Sequence, residues 1–217
     1  MYLIKQSLGT TLIGIKLNNS IIIAADSQTS SGSLINNRVA EKLSKLNDHI
    51  VCSRSGAAAD TQHIVDYLEC LMSKNFNQTR EPINVRAAVQ ILREICYKNK
   101  NANYGFICGG WDRFHGAQLY SINQGGALFK QPFLLTGSGS IYISSFCEAN
   151  YREDMSYLQS RNFIIKAISM AMNRDSNTGG VIKLCSINYN GIKKEIVVPF
   201  SNIEKNYFSK KMIDYLI

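Results

Sequence analysis

The sequence predicts an α+β fold in which two sheets pack together with helices outside them. Two observations carry this reading. Strand-like and helix-like segments alternate in blocks: strands, two helices, strands, two helices, strands. Each helical segment is apolar along one face, and the strands are short apolar runs between turn signals, so stacked layers bury every apolar face at once.

Residues 11–17 read as a strand, Asn18-Asn19-Ser20 as a turn, and residues 21–26 (Ile-Ile-Ile-Ala-Ala-Asp) as a second, deeply buried strand. This hairpin returns Asp26 toward Thr10. A polar segment, Ser27 to Asn37, leads to Arg38–Lys42, and a strand over 49–54 ends at Ser55-Gly56. Ile64, Leu68, Leu71 and Met72 share one helical face, as do Val85, Ala88, Val89, Leu92 and Cys96, with Asn75 to Pro82 as the connection. Strands follow at about 104–110, 116–122 and 127–135. Gly137-Ser138-Gly139-Ser140 opens a short helix, and a longer helix covers about 156–173. Two last strands, near 181–188 and 192–198, flank Asn190-Gly191, a hairpin signal. Residues 201–217 form an amphipathic, basic tail. No internal repeat, low-complexity stretch or interdomain linker interrupts the chain.

At 217 residues, 45% hydrophobic and 18% charged, the chain suits one sizeable domain. The net charge of +8 raises the question of nucleic acid. The basic residues are scattered, however, and no helix-turn-helix, zinc finger or aromatic RNA-binding signature is present, so no nucleic-acid partner is expected. No apolar run is long enough to span a bilayer. The first nine residues lack the apolar stretch of a secretory signal, which places the expected location in the cytoplasm and nucleus. The six cysteines are dispersed and read as buried free thiols. His49, His63 and His115 complete no ligand spacing with them, so neither a metal nor another cofactor is expected.

Gly9-Thr10-Thr11, followed by Asp26 and Lys42, carries the chemistry. A threonine hydroxyl needs a base to become a nucleophile. If the chain is cut between Gly9 and Thr10, the base is the residue's own α-amine, whose ordinary pKa of roughly 7.7–8.0 leaves part of it neutral near pH 7. The ammonium of Lys42 favours the alkoxide and opposes protonation of the amine, and Asp26 orients the lysine. Either residue alone is more often a plain buried ion pair; beside Gly-Thr-Thr at a strand start, the catalytic reading leads. Gly56, between a strand and a helix, offers an N–H to a developing oxyanion, against the simpler reading of a tight turn. Gly137-Ser138-Gly139-Ser140 lacks the lysine of a phosphate loop. The Asp175–Gly180 segment lacks calcium-ligand spacing and reads as a polar turn that positions side chains.

The chain resembles the β subunits of the eukaryotic 20S proteasome, of the β1 (caspase-like) type. The matching segments include Gly9-Thr10-Thr11, Ala24-Ala25-Asp26-Ser27, Asn37-Arg38-Val39 with Lys42-Leu43, Cys52-Ser53-Arg54-Ser55-Gly56, and Ala59-Asp60-Thr61-Gln62. Further matches are Gly109-Gly110-Trp111-Asp112, Gly137-Ser138-Gly139-Ser140, Tyr151-Arg152-Glu153, Arg174-Asp175 and Gly179-Gly180-Val181-Ile182. Together they cover nearly all of residues 9–188.

The resemblance implies a four-layer αββα sandwich of the N-terminal-nucleophile hydrolase type over residues 10–200, after a propeptide remnant (1–9); the tail (201–217) runs past the usual β1 end, and its basic and apolar residues suggest docking on a neighbouring subunit, with a frayed terminus as the alternative. Thr10 is the implied nucleophile, activated by Asp26 and Lys42, with Gly56 as oxyanion donor. Ser138, Asp175 and Thr178 support the amine and a catalytic water. Thr29, Ala40, Ser44, Arg54, Ala58 and Gln62 line the specificity pocket, where Arg54 pairs with acidic residues of unfolded polypeptide substrates. The implied partners are other α and β subunits in stacked seven-membered rings. Two departures stand out: Thr178 replaces a usual serine, and Gln28 a usual arginine. The rival readings are a non-catalytic β subunit that only completes the ring, a simpler ring protease of the bacterial type and, last, a nucleic-acid-binding module.

Overall fold

The hairpin of β1 (Leu12–Lys16) and β2 (Ile21–Asp26) forms the centre of the first sheet. All six residues of β2 are buried. A pleated strand sends alternate side chains to opposite faces, so a continuous apolar run marks a strand covered on both sides. Ile21, Ile23 and Ala25 face the second sheet, whereas Ile22 and Ala24 face the helices. The computed structural model describes residues 9–32, 34–99 and 103–199. The expected tail at 201–217 and all of the expected propeptide remnant except Gly9 lie outside the described residues.

A short hairpin follows, β3 (Thr29–Ser31) with β4 (Leu34–Asn37), then β5 (Leu43–Asn47) and β6 (Ile50–Gly56). Helices α1 (Ala58–Thr79) and α2 (Val85–Lys98) lead to β7 (Tyr104–Asp112), β8 (Gly116–Asn123), β9 (Ala127–Lys130) and β10 (Phe133–Thr136). Helices α3 (Ser140–Asn150) and α4 (Tyr157–Arg174) precede the closing hairpin of β11 (Ile182–Asn188) and β12 (Gly191–Val197). One sheet has the order β10-β1-β2-β11-β12 and the other β5-β6-β7-β8-β9. Every pairing is antiparallel.

Three apolar clusters define the layers. Val65, Leu68, Val89 and Leu92 of α1 and α2 pack on Phe106 and Ile122 of the second sheet. Ile143 of α3 and Ile164 and Ile168 of α4 pack on Ile13, Ile22 and Leu184 of the first. Between the sheets, Leu12, Ile21 and Ile23 meet Val51, Ile107 and Leu119. The protein is therefore α+β, with helices outside two stacked sheets.

Local signals set the helix ends. Asn84 caps α2, its side chain accepting from Ala87 N at 2.8 Å. Ser156 and Gln159 form a reciprocal capping box at α4.

Five features differ from the sequence reading. Helix α1 continues through Asn75 to Thr79 and stops at Arg80 in the left-handed region (φ 58°), because no breaker occurs before Pro82. The polar segment after Asp26 carries the β3–β4 hairpin, and β5 is an edge strand whose mixed Leu-Ser-Lys-Leu-Asn carries a weak apolar signal. The run 127–135 is two strands in different sheets. Pro132 has no N–H for a ladder, and its carbonyl accepts instead from Lys16 N at 2.7 Å. The final hairpin turns on Tyr189-Asn190, with Asn188 paired to Gly191, one residue earlier than Asn-Gly implies.

Candidate active site

Thr10 sits buried at the mouth of β1, and the backbone around it fixes its neighbours. Antiparallel pairing sets Leu12 opposite both Ala25 and Thr136, so the end of β2 and the turn after β10 converge on Thr10. Asp26 N donates to Thr11 O at 3.3 Å, and Gly139 N to Thr10 O at 3.3 Å. Lys42 arrives from the segment preceding β5, held where Arg54 N donates to its carbonyl at 3.0 Å.

Two hydrogen-bonded arms leave Thr10. In the first, Lys42 Nζ donates to Thr10 Oγ1 at 2.9 Å and to Asp26 Oδ1 at 2.9 Å. Asp26 is fully buried and accepts three further bonds, from Thr11 N (3.0 Å), Gln28 N (3.1 Å) and Gly179 N (3.1 Å). Burial pushes the Lys42 ammonium below its ordinary 10.5, opposed by Asp26. Burial also raises the Asp26 carboxyl above 3.8, opposed by Lys42 and the backbone donors.

In the second arm, Thr10 N donates to Ser138 Oγ at 3.2 Å. Ser138 Oγ donates to Asp175 Oδ2 at 2.7 Å, and Thr178 Oγ1 donates to the same oxygen at 2.6 Å. Asp175 is the residue closing α4, and its N–H caps Ala171 O at 2.8 Å. Thr178 supplies the hydroxyl that the arm uses. Because the Ser138 proton is committed to Asp175, the Thr10 nitrogen acts only as a donor toward it. A free amine there keeps its lone pair for the threonine's own hydroxyl.

With residues 1–9 attached, the Gly9 carbonyl accepts from Lys42 Nζ at 3.3 Å and from the Thr10 hydroxyl. A Cβ on Gly9 would fall 1.8 Å from Asn177 Cβ, so the bond before Thr10 threads a passage that admits only glycine without displacement.

Thr10, Asp26, Lys42, Ser138, Asp175 and Thr178 thus form one continuous network. Gly56 lies outside that network, at the end of β6 opposite Tyr104. Its φ of +119° and a would-be Cβ 2.2 Å from Asn103 O restrict the position to glycine. Of the expected pocket residues, Arg54 Nη1 reaches Ala58 O at 3.4 Å, and its Nη2 reaches Glu41 O at 2.7 Å. Burial lowers the Arg54 pKa. Ser44 pairs with Cys52 on β6, Ala40 N donates to Ser27 O at 2.9 Å, and Thr29 opens β3. Gln62 donates to Asp66 instead, at 2.5 Å.

Sequence reasoning left Thr11, Gly139 and Gly179 without roles at this site, because their contacts run between segments far apart in the chain. Gln28 is buried; its side chain donates to Ser30 Oγ (3.1 Å) and Ser176 O (2.9 Å), tying β3 to the Asp175–Gly180 turn. Among the described residues, no group of three or more His, Cys, Asp or Glu side chains is arranged to hold a metal ion. All six cysteines are free, and Cys70 alone of the six is exposed. No helix among the described residues is long and apolar enough to cross a membrane.

The sequence model of the proteasome subunit family matches residues 6–187, a span that holds every residue of this network. The chain belongs to the proteasome subunit family. It is 41% identical over 189 residues to the probable proteasome subunit beta type-1 of Schizosaccharomyces pombe, covering 87% of this chain and 84% of that protein. It is 36% identical over 199 residues to proteasome subunit beta type-6 of Dictyostelium discoideum, covering 91% and 92%. It is 37% identical over 194 residues to proteasome subunit beta type-1 of Saccharomyces cerevisiae, covering 89% and 90%. As a eukaryotic-type proteasome β subunit, the chain is built to assemble with other proteasome subunits in rings.

Proposed function

We propose that this β subunit is a catalytic β1-type subunit with the N-terminal-nucleophile αββα fold, a threonine endopeptidase that cuts after acidic residues. The observation that carries the reading is Lys42 Nζ at 2.9 Å from both Thr10 Oγ1 and Asp26 Oδ1. A subunit that only completes the ring has no need of a buried ammonium aimed at a threonine hydroxyl.

The first turnover is on the chain itself. The Thr10 hydroxyl attacks the Gly9 carbonyl carbon, whose oxygen Lys42 polarises. A water takes the hydroxyl proton and delivers it to the peptide nitrogen, which leaves as the Thr10 amine, and hydrolysis of the ester frees residues 1–9. In later turnovers the amine takes the hydroxyl proton as Thr10 Oγ1 attacks a substrate carbonyl. The Gly56 N–H receives the oxyanion. The amine then protonates the departing amine, and a water, deprotonated by the same Thr10 amine, releases the acyl group.

Arg54 supports specificity for acidic residues. Its two carbonyl contacts leave guanidinium donors to spare, and a guanidinium matches a carboxylate in shape and charge. The substrates are unfolded polypeptides, the partners are α and β subunits of stacked seven-membered rings, and the compartments are cytoplasm and nucleus.

The deciding measurement is the intact mass of this chain recovered from its assembled particle. A mass beginning at Thr10 supports the reading; retention of residues 1–9 assigns the chain to the ring as a structural subunit. Arg54→Met tests specificity: preference for Glu and Asp before the cut bond is expected to collapse. An unchanged preference overturns the pocket assignment.

A further inference from the structure

Thr11 is fully buried, yet every polar atom it brings to the site has a partner. Its N–H donates to Asp26 Oδ1 at 3.0 Å, and its carbonyl accepts from Asp26 N at 3.3 Å. Its hydroxyl lies 3.0 Å from Thr178 Oγ1. The direction of that last bond follows from proton counting. Thr178 has one hydroxyl proton, and it goes to Asp175 Oδ2 at 2.6 Å. Thr11 must therefore donate to Thr178. Gly139 leaves the space this contact needs, because a Cβ there would stand 2.0 Å from Thr11 Oγ1 and 2.8 Å from Thr178 Oγ1.

Both arms begin at Thr10, one at its oxygen and one at its nitrogen. Thr11 joins their far ends, since it contacts Asp26 in the first and Thr178 in the second. We propose that Thr11 is a positioning residue that closes the two arms into a single ring of hydrogen bonds and fixes the protons in the second arm. This inference rests on the reading of Thr10 as nucleophile.

The physical consequence concerns the Thr10 amine. The charged groups around it are Lys42 ahead of β5, Asp26 on β2 and Asp175 after α4, with Arg54 of β6 bearing on Lys42. With the Thr11 hydroxyl present, Thr178 is held with its proton on Asp175, and the carboxylate is partly satisfied. Without that hydroxyl, Thr178 turns freely, Asp175 loses a fixed donor, and more of its charge acts on the amine. That favours the ammonium and removes the base from a larger share of molecules.

The test is peptide hydrolysis by assembled particles carrying Thr11→Val or Thr11→Ser, with kcat and KM followed against pH on a peptide bearing Glu before the cut bond. Thr11→Val keeps the shape and removes the hydroxyl. We expect kcat to fall by roughly tenfold while KM stays within about twofold. The acidic limb of the kcat profile moves up by about half a unit, equivalent to about threefold in the amine's proton affinity. Thr11→Ser restores both. A wild-type rate and limb in Thr11→Val overturns the inference, as does a lower rate with an unmoved limb or a loss that Thr11→Ser shares. If Thr11→Val chains do not assemble, Thr11→Ala gives the same readout with no bulk to accommodate. Thr10→Ala, run alongside, separates the two levels: retained activity there overturns the nucleophile assignment rather than the role of Thr11.

Discussion

Lys42 Nζ lies 2.9 Å from Thr10 Oγ1 in a pocket that hides both side chains from water. Charge works hardest where water is absent. Lys42→Met is expected to lower peptide hydrolysis by roughly 10²–10⁴-fold and to block self-cleavage. It also strands Asp26, at a cost of about 3–5 kcal/mol for an unpaired buried charge. Lys42→Arg is not expected to rescue, because a planar guanidinium cannot stand in for a compact ammonium. Intact mass reads the self-cleavage, and peptide turnover in the assembled particle reads the rate.

On the proposed self-cleavage, the Gly9–Asn177 approach makes processing sensitive to a single methyl group. In Gly9→Ala the new Cβ meets Asn177 Cβ at 1.8 Å and Asn177 O at 2.4 Å, so the bond to be cut must shift. A misplacement near 1 Å slows such a step on the order of 10²-fold. A time course of intact mass should find the uncleaved chain persisting, while particles already processed hydrolyse peptides at the wild-type rate.

Gly56→Ala puts a Cβ 2.2 Å from Asn103 O and 2.9 Å from Tyr104 Cα, at φ +119°. Both neighbours are backbone and cannot swing aside. The loss in kcat is expected to be on the order of 10²–10³-fold as the N–H leaves the oxyanion's position. Backbone strain costs about 1–3 kcal/mol more. Turnover and thermal unfolding measured on the same sample separate the two effects.

Arg161 of α4 and Glu195 of β12 tie the last strand to the helix layer, with Arg161 Nε 2.9 Å from Glu195 Oε2. The hydrogen bonds from Arg161 hold the Glu195 carboxyl below its ordinary 4.5. A depressed carboxyl contributes stability above its unfolded value, and the contribution is lost as pH falls through the folded one. Glu195→Gln should therefore lower the melting temperature at neutral pH and match the wild type in acid. The partly exposed pair contributes no more than about 1 kcal/mol. Thermal scans across acid and neutral pH check it.

Much of this was legible in the sequence because the informative signals are local. Gly9-Thr10 at a strand start, the all-apolar β2 ending in Asp26, and the helical faces of α1, α2 and α4 each follow from residues close together in the chain. The missed parts are pairings at a distance. Nothing beside Thr11 announces Thr178, and nothing near Gly179 announces Asp26. The apolar run from Ala127 to Leu135 has one hydropathy pattern but two destinations, and Pro132 was the only local clue that the run is broken. The edge strand β5 is buried on too little of its surface to leave a strong pattern.

That break has a mechanical consequence. β10 clasps β1 along its outer edge, pairing Leu12 with Thr136, yet only Gln131 and Pro132 separate it from β9 in the opposite sheet. The second sheet therefore keeps a short leash on the first at the strand bearing Thr10. Sliding of one sheet over the other pulls on the strand that carries Thr10.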